Sequence, residues 1–578
     1  MYDATAKTLH TIFPILALVI ILLISGCQVA PNAQTDLFKA DQSSVFGTQT
    51  LFLSQQAKPE VIGGLILNDY EQAAPLLEKI KNKASYSLVV VLGGTDYKDG
   101  QAYAFTYTDA GELAKDGITI DSAAASALVK TGLIKDLGKI GSSSRWSSRF
   151  TKALAKNFPR SKFIFVAVDN MMSPPALNLL AYALKTSLPA DSLVLGLFSG
   201  KKSSNKKIVQ FQGDFAKTVI DTFDVEKFDE LPLDATSVAR ITALYLRYRG
   251  AGKIVAKDGD FMPQVLYGEG QAANNSSIFM VAFGDVMLGR FVRALMDRHG
   301  NDYPFSAMDT DYLRVNDLLL ANLEGPIAKK TIQTLKAIAF RFPPDTAAVL
   351  KKYYFDVLSL ANNHIYDMGQ AGYDDTRLFL DSAGILNFGD PRDSGRASAI
   401  VTVTRGRRIA FLGLEDVVYK LDADKAVEEI RRLAGEGDLV IAVVHWGVEY
   451  THQPTARQKE LAHRFIDAGA FAVIGSHPHV VQAFEVYNNC PIFYSLGNAV
   501  FDQYWSSNTQ VGLSVAIVMS DQQKEIYMIP IKNVKSQLQL MDDEEAAQFL
   551  AEMSEYSEGD DATKAALREG HITLTASQ

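Results

Sequence analysis

Residues 278–290 read IFMVAFGDVMLGR. The apolar run Ile278 to Phe283 has strand length, and an unbroken run of this kind marks a strand covered on both faces. It passes directly into Gly284-Asp285. The same grammar recurs downstream. Leu318 to Ala321 runs into Asn322-Leu323-Glu324-Gly325-Pro326, and Phe355 to Leu360 into Asn362-Asn363-His364. Leu439 to Val444 ends in His445-Trp446-Gly447, and Phe471 to Ile474 in Gly475-Ser476-His477-Pro478-His479. Arg408 to Leu414 and Ile492 to Ser495 read as two further strands. Side chains just past the carboxyl ends of strands in an α/β sheet converge on one crevice, so five such ends bearing Asp, Glu, Asn and His predict one site.

The residue types at these ends are metal-ligand types. Carboxylates, an amide oxygen and imidazoles without a thiolate form a hard-to-borderline set suited to Mn²⁺, Fe or Zn²⁺. In His477-Pro478-His479, extended backbone would point both imidazoles the same way. With two ions roughly 4 Å apart, a bridging hydroxide and a clamp on attacking and leaving oxygens become available; one ion alone still polarises a carbonyl or phosphoryl oxygen. Arg290 suits an anionic group bidentately, or equally a structural salt bridge. Asn322, Asn362, Trp446, Glu449, Tyr450, Gln482 and Asn498 are candidates to line the pocket.

These five blocks, with Asp367 and Gly369 after the Asn-Asn-His and the run Tyr494 to Asp502 (YSLGNAVFD), closely resemble the CapA family over residues 278–535. Those are bacterial capsule-synthesis proteins associated with poly-γ-glutamate production, related in fold to calcineurin-like metallophosphoesterases. The resemblance implies a four-layer α/β/β/α sandwich with the site at the strand ends. It implies Asp285 and His479 on a first metal, Glu324 as a bridging carboxylate, and Asn363, His445 and His477 on a second. Catalysis would rest on Asp285, Arg290 and His364, with His364 protonating the leaving group or steadying the transition state. Met287 stands where the phosphoesterase pattern usually has a histidine, which leaves the first metal one ligand short. One or two divalent ions are therefore expected. Two functions follow: a metal-dependent hydrolase of a phosphoester or of an amide in a surface polymer, or a non-hydrolytic membrane partner in capsule polymer assembly or export.

Upstream the chemistry differs. From Gln28 to Gln271 there is no His and no Cys. Residues 48–268 alternate strand-like runs (Ser87 to Leu92, Phe163 to Val168, Leu193 to Phe198) with helix-like stretches (Ala176 to Leu188, Asp234 to Tyr248), which predicts a layered α/β domain. The order of Leu92-Gly93-Gly94-Thr95-Asp96, Thr108 to Asp121, Arg145 to Phe150 and the Leu193 strand resembles the Memo-like family, related to class B extradiol dioxygenases. Where that family places metal-site histidines, this chain has Thr95-Asp96, Arg145-Trp146-Ser147 and Ser199-Gly200-Lys201, so the resemblance implies a degenerate copy serving for binding or spacing. Lys201, Lys202, Lys206 and Lys207 suit contact with an anionic polymer or lipid, or a solvated loop. Gly250-Ala251-Gly252-Lys253 lacks the spacing and the Ser/Thr of a phosphate-binding loop. A polar linker, 269–277, separates the halves.

At the amino end, Thr11 to Ile24 is an apolar run of about fourteen residues, short of the roughly twenty a bilayer span needs but right for a signal-peptide core. It ends in Ile24-Ser25-Gly26-Cys27, which looks like a bacterial lipobox. Residues 1–27 thus read as a lipoprotein signal peptide, against the alternatives of an uncleaved anchor or a buried strand, and 28–47 as a polar tether. Cys27 would carry the lipid and place the chain on the extracytoplasmic face of the cell membrane, with surface polymer or capsule-synthesis membrane proteins as partners. The 578 residues suffice for roughly two to four domains, and 47% hydrophobic content excludes a chain disordered throughout. A net charge of −9 speaks against a broad nucleic-acid-binding surface, and two cysteines cannot build a disulfide framework. Residues 536–578 read as an acidic helical tail with a solvated charge run.

Overall fold

The computed structural model describes residues 61–575, except 62, 68–69, 81–82, 84–85, 96–103, 141–147, 170–171, 173, 199–202, 229, 233–235, 259–263, 270, 274 and 333–335. Cys27 with its leader and tether, Asp96, Arg145 to Ser147 and Ser199 to Lys202 lie outside the described residues.

The second half is mixed α/β and contains two packed sheets. Its strands are β9 (Ile278–Val286), β10 (Leu318–Leu323), β11 (Val357–Ser359), β12 (Leu386–Phe388), β13 (Ala399–Thr404), β14 (Arg407–Glu415), β15 (Leu439–His445), β16 (Ala470–Ser476), β17 (Phe484–Tyr487), β18 (Cys490–Phe493), β19 (Asn498–Val500), β20 (Val511–Met519), β21 (Gln523–Val534), β22 (Gln537–Leu540) and β23 (His571–Thr575). One sheet runs β12-β11-β10-β9-β20-β21-β22, with β19 beside β9 and β23 beside β21; the other runs β13-β14-β15-β16-β18-β17. Strands β9 to β12 pair in parallel, as do β14, β15, β16 and β18. Their carboxyl ends therefore lie at one end of each sheet.

The period-two alternation of a strand sorts the apolar residues into layers. Met280 and Ala282 of β9 meet Ile441 and Val443 of β15 between the sheets. Phe279, Val281 and Phe283 face outward into a core with the helices Arg290–His299, Thr346–Lys352 and Gly369–Ser382. Val440, Ala442 and Val444 face the opposite side, under the helices Ala423–Gly435 and Ala456–Asp467. The layers are α/β/β/α.

The first half forms an eight-stranded sheet from β1 (Gly63–Leu67), β2 (Leu88–Thr95), β3 (Ala104–Thr106), β4 (Ile134–Asp136), β5 (Lys162–Asp169), β6 (Ser192–Phe198), β7 (Ala251–Asp258) and β8 (Gln264–Glu269), in the order β4-β3-β5-β2-β6-β1-β8-β7. Leu88, Val90 and Leu92 pack on one face, and Val89 and Val91 on the other. Gly250 ends the turn before β7, and Ala251 to Lys253 open that strand. The core does not stop at 268. The helix Lys206–Thr222, capped by the Asn205 side chain, carries Phe211 and Phe215 one turn apart. Their rings lie 5.6 and 5.3 Å from that of Phe279, so this helix joins the outer layer of the second half's first sheet.

The carboxyl-terminal segment corrects the sequence reading. Residues 536–575 carry the expected helices and exposed acidic side chains but are not a detached tail: β22 and β23 extend the first sheet, and Leu550, Met553 and Leu567 enter the core between the sheets. The acidic run is a helix start. Asp542 caps Asp543–Tyr556 and forms a capping box with Glu545, where carboxylates satisfy free N–H groups and the helix dipole.

Candidate metal centre

Asp285 ends β9 against a crossing chain. Its backbone N–H donates to the Gly497 carbonyl at 3.0 Å, and this approach is open only because Gly284 has no side chain. A Cβ there would lie 1.9 Å from that same oxygen. In register beside Asp285 stand Asn322 on β10 and Asn498 on β19. Asn322 Nδ2 donates to Asp285 Oδ1 at 2.8 Å and to Glu324 Oε2 at 3.3 Å. Asn362 Nδ2 in turn donates to Asn322 Oδ1 at 3.1 Å and to the Leu323 carbonyl at 2.8 Å. The two amides form a buried bracket behind the carboxylates.

The second sheet supplies the imidazoles. His445 Nδ1 lies 2.9 Å from Ser476 Oγ, its Nε2 3.0 Å from Asn363 Oδ1, and its ring centroid 4.8 Å from that of His477. His479 Nδ1 is 3.0 Å from Asn498 Oδ1 and 3.3 Å from Asp285 Oδ2, and its Nε2 is 3.7 Å from Glu324 Oε1. His477 and His479 do not sit in extended backbone. Both lie beyond the end of β16 in the left-handed region, at φ 97° and 59°. The rings converge because the loop takes this conformation, a strain worth roughly 1–3 kcal/mol per residue that functional sites commonly hold.

His364 stands at the rim. Its Nδ1 is 2.7 Å from Asp367 Oδ2, and its ring packs on Phe340 with centroids 4.0 Å apart. Asp367 Oδ1 takes Lys336 Nζ at 2.7 Å. Sequence reasoning named Asp367 only as part of a motif and missed Lys336, whose contact spans thirty-one residues of chain.

Burial dominates the electrostatics. It works to raise the Asp285 carboxyl, but the bond and charge of His479, then His445 and Asn322, bring it down to about 2. Burial, then the Asp285 charge, pushes Glu324 well above the ordinary carboxylate range. Burial, then repulsion from His477, holds His445 neutral, and burial, then His479, lowers His477 to about 3. Neutral imidazoles beside carboxylates are the form that ligates a cation. Glu324 Oε1 and His477 Nδ1 are buried without a hydrogen-bond partner, the condition expected of groups arranged for an ion.

Residues 279–503 match the family described as bacterial capsule synthesis protein PGA_cap. The match lies in the second half of the chain and covers about two fifths of it. The capsule biosynthesis protein CapA of Bacillus anthracis is 35% identical over 254 residues, covering 40% of this chain and 62% of that one. The PGA biosynthesis protein CapA of Bacillus subtilis (strain 168) is 34% identical over 240 residues, covering 39% and 63%. A probable polyglutamine synthesis accessory protein of Mycobacterium tuberculosis is 27% identical over 289 residues, covering 40% and 76%. The chain thus spans less than two thirds of the length of the two Bacillus relatives.

Among the described residues, the ligand types of the matched segment fall into two groups able to hold a metal ion, Asp285 with Glu324 and His445, and Glu449 with His477 and His479; in each group the ligand atoms lie within 4.8 Å of one another. Asn363 meets the first group through His445. Several pocket expectations change. Trp446 is fully buried, donates Nε1 to the Tyr494 carbonyl at 2.9 Å and stacks on Tyr494, so it packs under the helices. Gln482 is buried too, bonded to Gln458 and to the Thr451 carbonyl, and pins loops together. Asn322, Asn362 and Asn498 orient ligands instead of lining a pocket. Arg290 Nη2 pairs with the buried Asp502 at 3.1 Å, which is the salt-bridge reading. Tyr450 and Glu449 are exposed at the rim; burial, then Glu449, pushes the Tyr450 phenol up to about 12.

Proposed function

We propose that the PGA_cap domain is a metal-dependent hydrolase acting on a phosphoester or polymer amide in capsule or poly-γ-glutamate metabolism, in keeping with the names its relatives carry. The observation that carries this reading is the convergence of Asp285, Glu324, His445, His477 and His479, all buried, with Glu324 Oε1 and His477 Nδ1 left unpartnered. Asp285, Glu324, Asn363, His445, His477 and His479 would hold one or two divalent ions, Mn, Fe or Zn. Such an ion supplies Lewis-acid polarisation and an activated water.

The chain's own residues do the rest. Asp367, by accepting from Nδ1, sets the His364 tautomer and leaves Nε2 for a proton on the leaving group. The Asn322–Asn362 bracket keeps the carboxylates in place. We also propose that the protein is lipid-anchored through Cys27 outside the cytoplasm, and that residues 48–268 serve as a degenerate Memo-like binding or spacing module.

The test is metal analysis of the purified full chain, followed by phosphomonoester, phosphodiester and γ-glutamyl substrates. Bound metal with turnover of one class supports the hydrolase. No metal under any supplementation, and no turnover, would leave the non-catalytic role in polymer assembly or export.

A further inference from the structure

We propose that Glu449 is a metal ligand, completing a His477–His479–Glu449 ion position in place of the imidazole absent at Met287. The proposal rests on reading the site as a metal centre. Met287 cannot fill that place, because its side chain is buried in the core of the outer layer and its sulfur accepts the Gly289 N–H at 3.1 Å. A thioether is in any case a soft donor, poorly matched to a carboxylate and imidazole set.

Glu449 reaches the site by another route. The chain turns sharply after His445, with Gly447 at φ 90° and Tyr450 at φ 64°. At Gly447 a Cβ would come within 2.7 Å of the Gln458 side chain, so the turn there has no room for a side chain. The Tyr450 N–H then donates to the Pro478 carbonyl at 2.8 Å. That bond joins the turn to the loop between the two histidines, and it brings the carboxylate to where Glu449, His477 and His479 each offer one ligand atom within 4.8 Å of the others. Ligands about 2.0–2.2 Å from a common tetrahedral ion lie roughly 3.3–3.6 Å apart, so the three atoms would close by up to about 1.5 Å on binding it. The buried, unpartnered Nδ1 of His477 is an independent sign that this corner lacks a partner.

The experiment uses the full chain, stripped with a chelator and titrated with Mn²⁺ by calorimetry, with bound metal counted by elemental analysis. The wild type should take up two ions per chain. Glu449→Ala should lose one, or bind one at least tenfold more weakly, while Glu449→Asp recovers part of the loss. Glu449 is exposed, so the stripped variant should melt as the wild type does. Wild type and Glu449→Ala binding the same number of ions with the same affinity would overturn the role of Glu449 and leave the metal centre standing. A wild type that takes up neither Mn²⁺ nor Zn²⁺ would overturn the metal centre itself, and this proposal with it.

Discussion

Asp367 Oδ2 lies 2.7 Å from Nδ1 of His364 and also accepts the Phe340 N–H at 2.7 Å, so one buried carboxylate fixes both the tautomer of the imidazole and the aromatic ring beneath it. His364→Ala should cut phosphodiester turnover by ~10²–10⁴, the usual worth of a positioned acid or base. Asp367→Asn should give a smaller loss. Both should keep the wild-type metal content, so steady-state kinetics alongside elemental analysis separates this pair from the ligands.

His445→Ala and His477→Ala should behave in the opposite way, losing metal first. Because an ion that binds only the folded chain stabilises it by RT ln(1 + [L]/Kd), excess Mn²⁺ at a hundred times Kd is worth about 2.7 kcal/mol. Calorimetric melting should therefore rise on adding Mn²⁺ in the wild type and rise much less in either variant.

Stability of the stripped protein should fall as pH drops from about 6.5. The folded chain keeps His477 neutral down to about 3 and His445 neutral as well, whereas both bind protons in the unfolded chain below 6.5. The unfolded state then holds more protons, and stability declines with falling pH across that window. Asp285 acts in the same direction between 3.8 and about 2, while Glu324, raised well above 4.5, favours the folded state on the acid side. His477 contributes about 2 kcal/mol of the change from pH 7 to 5, and His445 acts in the same direction. Urea unfolding at those two pH values should show His477→Gln losing less than the wild type; equal losses would contradict its buried neutrality.

Gly284→Ala should destabilise by at least ~1–3 kcal/mol, the usual penalty of overpacking, since the added carbon meets the Gly497 carbonyl. Denaturant unfolding measures this, and metal affinity should fall with it because Asp285 is displaced.

Phe279→Ala should cost ~3–5 kcal/mol, as a large core truncation does. The same contact means that residues 48–268 alone expose Phe211 and Phe215. That fragment should bind a hydrophobic dye that the full chain does not.

The seven strands read from apolar runs in the second half are all present, and so are the site-bearing turns that follow them, because strand period and run length are local properties. Other short strands, such as β12, β17 and β19, give no such signal. With three or four residues they carry too little periodicity to stand out, and they form because neighbouring strands offer a hydrogen-bonding edge.

Which side chain meets which at the strand ends was not a local property. Trp446 and Gln482 share their turns with ligands yet are buried against Tyr494 and Gln458, and the acidic run from Asp542, exposed as a charge run should be, also caps a helix. Glu449 and His477 are brought together by the Tyr450 to Pro478 hydrogen bond, and Asp285 is placed by a glycine carbonyl more than two hundred residues along the chain. Sequence alone determined the inventory of strands and ligand-type residues, since each follows from the chemistry of adjacent positions. The tertiary structure decided which of those residues face one another, because loop conformation and register depend on contacts between segments far apart in the chain.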